Sequence, residues 1–170
     1  MMDVKSQTQV IEILKNFGFN QKNINLEDGC YRIMPQSYFE PKLFGSTTLK
    51  KILGFKAWTY SLGASDCGKF CISYQAEIQN KFRDKLWGTS GGGDSGSISN
   101  NQISTDEEPA LLMGFVKYRT NAGNSHIVNG TIINVGGRYV PMFFQRTSNG
   151  FEWVILSEGE KKCLEYFHAY

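Results

Sequence analysis

Histidine is close to absent from this chain: of 170 residues only His126 and His168 carry an imidazole. A nucleophilic side chain therefore has two candidates for a base that titrates near neutral pH. One-signed charge is missing too. Lys+Arg 18 against Asp+Glu 16 leaves net +2, scattered along the chain, which excludes a nucleic-acid-binding stripe and an acidic tail. No apolar run approaches the roughly 20 residues of a membrane-spanning helix, and Met1-Met2-Asp3 lacks the charged-then-apolar layout of a secretory signal. The expectation is a cytoplasmic protein with no membrane and no nucleic-acid partner. In that setting Cys30, Cys67, Cys71 and Cys163 are expected as reduced thiols rather than disulfides. Cys67-x3-Cys71 would need two further ligands to hold zinc, and the two histidines show no matching short spacing. Neither a metal nor a cofactor is expected.

What is present bounds the architecture. A chain of 170 residues is one domain over 1–170, long enough to bury a core without disulfide or metal staples. Aromatic content of 14% fits either a rich core or loop rings lining a groove for a ligand.

The stretch Ser65-Asp66-Cys67-Gly68-Lys69-Phe70-Cys71 organises the rest. Downstream, Tyr74, Ile78 and Phe82 recur every fourth residue, with Cys71 and Leu86 extending the stripe. That spacing predicts one long amphipathic helix opening near Asp66. Cys67 would lie in its first turn, where the helix start favours thiolate over thiol. His126 is the better of the two bases, because it opens the β-branched run His126-Ile127-Val128-Asn129-Gly130-Thr131-Ile132-Ile133, which reads as a strand. The alternatives are a buried structural cysteine and a strand histidine satisfied by backbone groups.

Around this centre the chain divides in two. Ser6 is placed to cap a helix carrying Val10, Ile13, Leu14 and Phe17, with Gly18 as its stop. Phe19 to Gly29 reads as a connection, and Cys30 to Pro35 as a short extended run. Small helices are expected over 37–43 and 46–53. The Gly- and Ser-rich segment 89–108 reads as a flexible loop. Its Gly93-Asp94-Ser95-Gly96 superficially matches a serine-protease nucleophile, but both histidines follow it and position 97 is Ser, not the Gly of a hydrolase elbow. From Ala110 four β runs follow: Ala110 to Arg119, His126 to Val135, Arg138 to Gln145 and Phe151 to Leu156. Gly136-Gly137 suits a two-residue hairpin within an antiparallel meander. The tail has helical spacing at Lys161, Leu164, Glu165 and His168, or forms a final strand. Helices first and strands second predict an α+β fold: N-terminal helices and a long central helix packed on a C-terminal antiparallel β-sheet.

Cysteine at a helix start, a histidine-led strand and a strand ending in glutamine resemble the order of papain-like and transglutaminase-like cysteine peptidases. The resemblance is more particular with the group that includes the peptidase domain of the Marasmius agglutinin and related small bacterial and phage proteins. It rests on Tyr31-Arg32-Ile33-Met34-Pro35, Asp66-Cys67-Gly68-Lys69-Phe70-Cys71, Gly114-Phe115-Val116 and His126-Ile127-Val128-Asn129. It covers roughly 31–147, and implies a papain-like half-barrel and a thiol protease.

Two departures bear on the site. The group's acidic calcium-binding residues after the cysteine are here Gly68 and Lys69, which argues against calcium. The Glu-Pro-Gln segment reads Phe143-Phe144-Gln145, and a phenylalanine cannot accept a ring N–H. Gln145 or Asn129 is then left to orient His126, as an amide does in papain; Gln145 has the further option of donating to an oxyanion. Two functions follow. One is a cysteine peptidase or amidase that attacks an amide bond of a polypeptide or peptide-like substrate through Cys67 and His126, with Gln145 and Asn129 in support. The other is a catalytically degenerate binding protein, such as a viral or phage factor that occupies a host protein or small ligand.

Overall fold

A computed structural model of the protein describes residues 3–35, 67–68, 71–72, 74–76, 79, 109–147 and 150–169. The helices expected over 37–43 and 46–53 and the loop expected over 89–108 lie outside the described residues. Elements run in the order β1 (Asp3–Ser6), α1 (Gln7–Phe17), a 3-10 turn (Gln21–Asn23), β2 (Ile24–Leu26), β3 (Cys30–Pro35), β4 (Ala110–Leu111), β5 (Gly114–Arg119), β6 (Ser125–Val135), β7 (Arg138–Thr147), β8 (Gly150–Val154), α2 (Glu158–Lys161) and β9 (Leu164–Ala169). Between β3 and β4, the described positions 67, 68, 71, 72, 74–76 and 79 are all helical and are called here the cysteine helix.

The start of α1 follows its sequence closely. Ser6 Oγ accepts from the Gln9 amide at 3.3 Å while Gln9 Oε1 accepts from the Ser6 amide at 3.0 Å. This reciprocal box satisfies two helix-end donors that would otherwise lack partners. Gly18 ends the helix at φ 134°, donating to the Leu14 and Lys15 carbonyls. Val10 and Leu14 are fully buried.

The centre of the molecule is β6. It pairs antiparallel with β5 along its first half, parallel with β3 at Ile133 and Asn134, and antiparallel with β7 along its second half. The β6–β7 connection is Gly136-Gly137 with φ 59° and 88°. Two successive positive φ values define the tight turn that matches strand twist, and glycine adopts them without strain. Residues 128–133 of β6 are buried on both faces. One face, with Val128 and Ile132, joins Val10, Leu14, Ile33 and Phe143 in the main core, and Phe17 of α1 meets Phe143 at 5.3 Å. The other face carries Asn129 opposite Phe144, and Tyr74 of the cysteine helix packs on Phe144 at 5.3 Å. The sheet is therefore held between α1 and the cysteine helix.

Two parts of the expected architecture are corrected. The protein is mostly β with three short helices, and no long central helix is present among the described residues. Apolar residues every fourth position identify a face, and a face does not fix a length. Nor do the strands form a separate C-terminal antiparallel sheet. β5 to β8 are an antiparallel meander as expected, but β3 runs parallel to β4 and β6, and β2 parallel to β9. The result is two mixed sheets that meet at β3, and the papain-like half-barrel is set aside with the α+β layering that implied it. Local patterning marks extended segments but carries no signal for pairing between segments a hundred residues apart. The tail resolves into α2 followed by strand β9.

One irregularity lies beside the site. Lys117 pairs with Tyr166, yet the next residue, Tyr118, pairs with Leu164. Glu165 is thus an extra residue on β9, and such bulges re-aim side chains. Its carboxylate takes Lys117 Nζ at 2.7 Å and Arg119 Nε at 3.1 Å, while Leu164 keeps contact with the core.

At Gly114 the β5 backbone lies so close to β9 that an added Cβ would collide with the His168 carbonyl. Main chain cannot rotate away as a side chain can. Overpacking of this kind costs typically about 1–3 kcal/mol. Gly114→Ala should lower the thermal midpoint by about 2–4 °C for each kcal/mol lost. Gly123→Ala, in open space but at φ 81°, should cost less. Calorimetry that ranks the two variants the other way would contradict the packing described here.

Candidate active site

The site forms at the end of the sheet, where β6 begins. The β5–β6 turn closes with the Thr120 amide on the Asn124 carbonyl at 2.9 Å, and this register sets Tyr118 directly opposite His126. On the other edge of β6, strand β7 carries Gln145 past the register position of Val128 and within reach of the ring. His126 Nε2 and Gln145 Oε1 are 2.7 Å apart. An amide oxygen only accepts, so Nε2 carries the proton and Nδ1 is left as the basic nitrogen. Cys67, the first described position of the cysteine helix, hydrogen-bonds the same ring through its side chain. With Nε2 engaged by Gln145, Nδ1 is the nitrogen that remains for the thiol. The third wall is Tyr118, whose ring stands at 76° to the imidazole, 5.8 Å between centroids.

The electrostatics follow from these contacts. The hydrogen bond from Cys67 holds the His126 pKa above its usual value; burial opposes this, and the Gln145 bond and the charge of a Cys67 thiolate reinforce it. A raised histidine pKa means that the protonated ring stabilises the fold. That contribution is fully present below about pH 6.5, the unfolded value, and is lost as pH rises through the folded pKa. Cys71 differs completely: burial pushes its thiol far above the ordinary range, with Cys67 adding to the shift. Its Sγ donates to the Ile127 carbonyl at 3.6 Å. One helical turn thus separates a half-exposed thiol on a histidine from a buried, inert one.

Of the sequence-predicted site residues, Cys67, His126 and Gln145 come together, with Gln145 as the orienter of the ring rather than an oxyanion donor. Asn129 does not join them. Strand alternation puts it on the face opposite His126, fully buried, where its Nδ2 donates to the Cys71 carbonyl at 3.0 Å and the Gly114 carbonyl at 3.4 Å. It ties the cysteine helix to β6 and β5, and touches no reacting group. Phe143, two residues before Gln145, is buried against Phe17 and Phe19 in the core, so the position where the resembled group has its glutamate does not face the histidine here. His168 is apart from the site, its Nε2 at 3.2 Å from Asn25 Nδ2 and 3.3 Å from Glu27 Oε1. Among the described residues no group of three or more His, Cys, Asp or Glu is placed to hold a metal ion. Sequence reasoning missed Tyr118; the turn residues Thr120 to Asn124 were the signal, since the centre of a hairpin fixes which residues face one another.

No protein-family model matches this chain, and no curated protein gives a significant match to it.

Two outcomes are expected. Cys67→Ala removes the largest upward influence on His126 and leaves the burial that opposes it, so the imidazole pKa followed by NMR should fall; an unchanged titration would show that the thiol does not engage the ring. Phe143→Glu should not build a better site. It places a carboxylate among aromatic rings with no described cation beside it, at a cost of several kcal/mol, and should appear as a lower thermal midpoint with no gain in Cys67 reactivity.

Proposed function

We propose that this protein is a cysteine-dependent amide hydrolase, a peptidase or amidase in which Cys67 is the nucleophile, His126 the general base and acid, and Gln145 the ring orienter. The observation that carries the reading is the unbroken chain from the Cys67 side chain through the His126 ring to Gln145 Oε1. A cysteine nucleophile needs a base within reach and a third group that orients the base. Buried structural cysteines, of which Cys71 is an example, pair with main-chain carbonyls instead.

In this reading His126 Nδ1 takes the thiol proton and the sulfur adds to the carbonyl carbon of a polypeptide or peptide-like substrate. The carbon–nitrogen bond breaks as the imidazolium returns that proton to the leaving nitrogen, giving a thioester on Cys67. Water, deprotonated by Nδ1, then attacks the thioester, and the proton it leaves on the ring restores the thiol. Throughout, Nε2–H stays bonded to Gln145, which keeps Nδ1 directed at sulfur. The chemistry calls for no cofactor. The balanced charge and the free cysteines fit a substrate other than nucleic acid and a reducing compartment, for which we propose the cytoplasm. No helix among the described residues is long and apolar enough to cross a membrane.

Alkylation by iodoacetamide tests the pair directly. Cys67 should react well below the usual thiol titration near 8.5, and His126→Ala should slow the reaction at pH 7 by about tenfold or more, since an adjacent cation shifts a partner's pKa by about 1–3 units. A wild type that follows an ordinary thiol titration, with His126→Ala and Gln145→Ala indistinguishable from it, overturns the hydrolase reading. The protein would then stand as a binding protein that keeps the arrangement without the activity.

A further inference from the structure

We propose that Tyr118 is a positioning residue for His126, its ring closing off the imidazole and keeping water from the Nε2–Gln145 bond. The proposal rests on the Cys67–His126 reading and extends it to a residue outside the reacting set. The His126 side chain is attached through a torsion that is broad and roughly two-fold, so a single hydrogen bond to Gln145 leaves the ring free to swing about that contact. A second constraint is needed to hold Nδ1 toward sulfur. Tyr118 supplies a wall of the right kind: it is 4% exposed, it is the direct cross-strand partner of His126, and its ring stands edge-on at 5.8 Å and 76°. Aromatic pairs favour this T-shaped arrangement over a face-to-face stack.

Its backbone is as firmly placed as its ring. Tyr118 pairs with His126 on one side and Leu164 on the other, so it is the middle member of three neighbouring strands. The extra residue Glu165 on β9 lets Leu164 stay on the core side next to Tyr118. The His126–Gln145 bond has no such covalent guarantee. Both residues are only partly buried, and a hydrogen bond that water reaches is weakened by competition. Tyr118 is the large buried ring that stands against the imidazole.

The test uses the full-length protein and reads the Nε2 proton of His126 by NMR, a signal that does not depend on turnover. In the wild type that proton should be visible near neutral pH because exchange with solvent is slow; rapid exchange there overturns the proposal without recourse to any variant. Tyr118→Leu should speed exchange by about tenfold, the scale of one net hydrogen bond, and slow Cys67 alkylation in parallel. Tyr118→Phe, which keeps the ring and loses only the hydroxyl, should restore both. Exchange unchanged in a folded Tyr118→Leu overturns the proposal while leaving the Cys67–His126 pair intact. Alkylation insensitive to His126→Ala instead removes the reading beneath it, so the two failures are told apart.

Discussion

Every residue of the candidate site is placed by the pairing of β6, the strand hydrogen-bonded along both edges. Its first half fixes Tyr118 across from His126, its second half fixes the register of β7 and thereby Gln145, and its buried Asn129 ties down the cysteine helix. A side chain on a central strand has its backbone restrained from two directions. Loss of either ladder would slip alternation by a residue and send His126 to the other face of the sheet. That dependence explains why the interior of β6 tolerates polar residues. Asn129 and Thr131 are fully buried, but their donors meet the carbonyls of Cys71, Gly114 and Leu112. They act as cross-links between neighbouring segments, and a well-partnered buried polar group specifies one arrangement where an apolar one admits several.

The contrast between Cys67 and Cys71 shows how one helix makes two chemical species from one residue type. Cys71 faces the sheet, is desolvated, and donates weakly to a main-chain carbonyl. Cys67 is half-exposed and faces an imidazole instead. Reactivity in cysteines follows the thiolate fraction, and here that fraction is divided by position on the helix rather than by any difference in the residues themselves.

How much of this was legible in the sequence depends on the range over which each determinant acts. The capping box at Ser6, the stop at Gly18 and the hairpin at Gly136-Gly137 rest on interactions within a few residues, and all three appear in the structure. The partnership of Cys67, His126 and Gln145 was readable because each stands at a position that chemistry singles out: a cysteine at the head of a helical stripe, one histidine opening a strand, an amide two residues past the glutamate position. What could not be read was parallel pairing. β3 seats its end beside Ile133 of β6, and β2 beside β9, across most of the chain length, and neither contact leaves a periodic trace. The expected layering of helices over a C-terminal sheet failed there. Asn129 was misassigned for a related reason: its closeness in sequence to His126 suggested a shared role, while its odd spacing of three residues puts it through the sheet.

The orienting group on His126 is an amide, and that choice reaches further than geometry. A carboxylate in the same place would take up a proton of its own in mild acid and release the ring, so a site built on one has two titrations to lose. Gln145 has none. Its bond to Nε2 persists however acidic the solution becomes, leaving imidazole and thiol as the two protonation equilibria of this constellation. An amide also brings no charge, so a thiolate–imidazolium pair held by Gln145 sums to zero. Such a site presents no net field to an approaching molecule, and its encounters should be governed by shape and hydrogen bonding, indifferent to ionic strength.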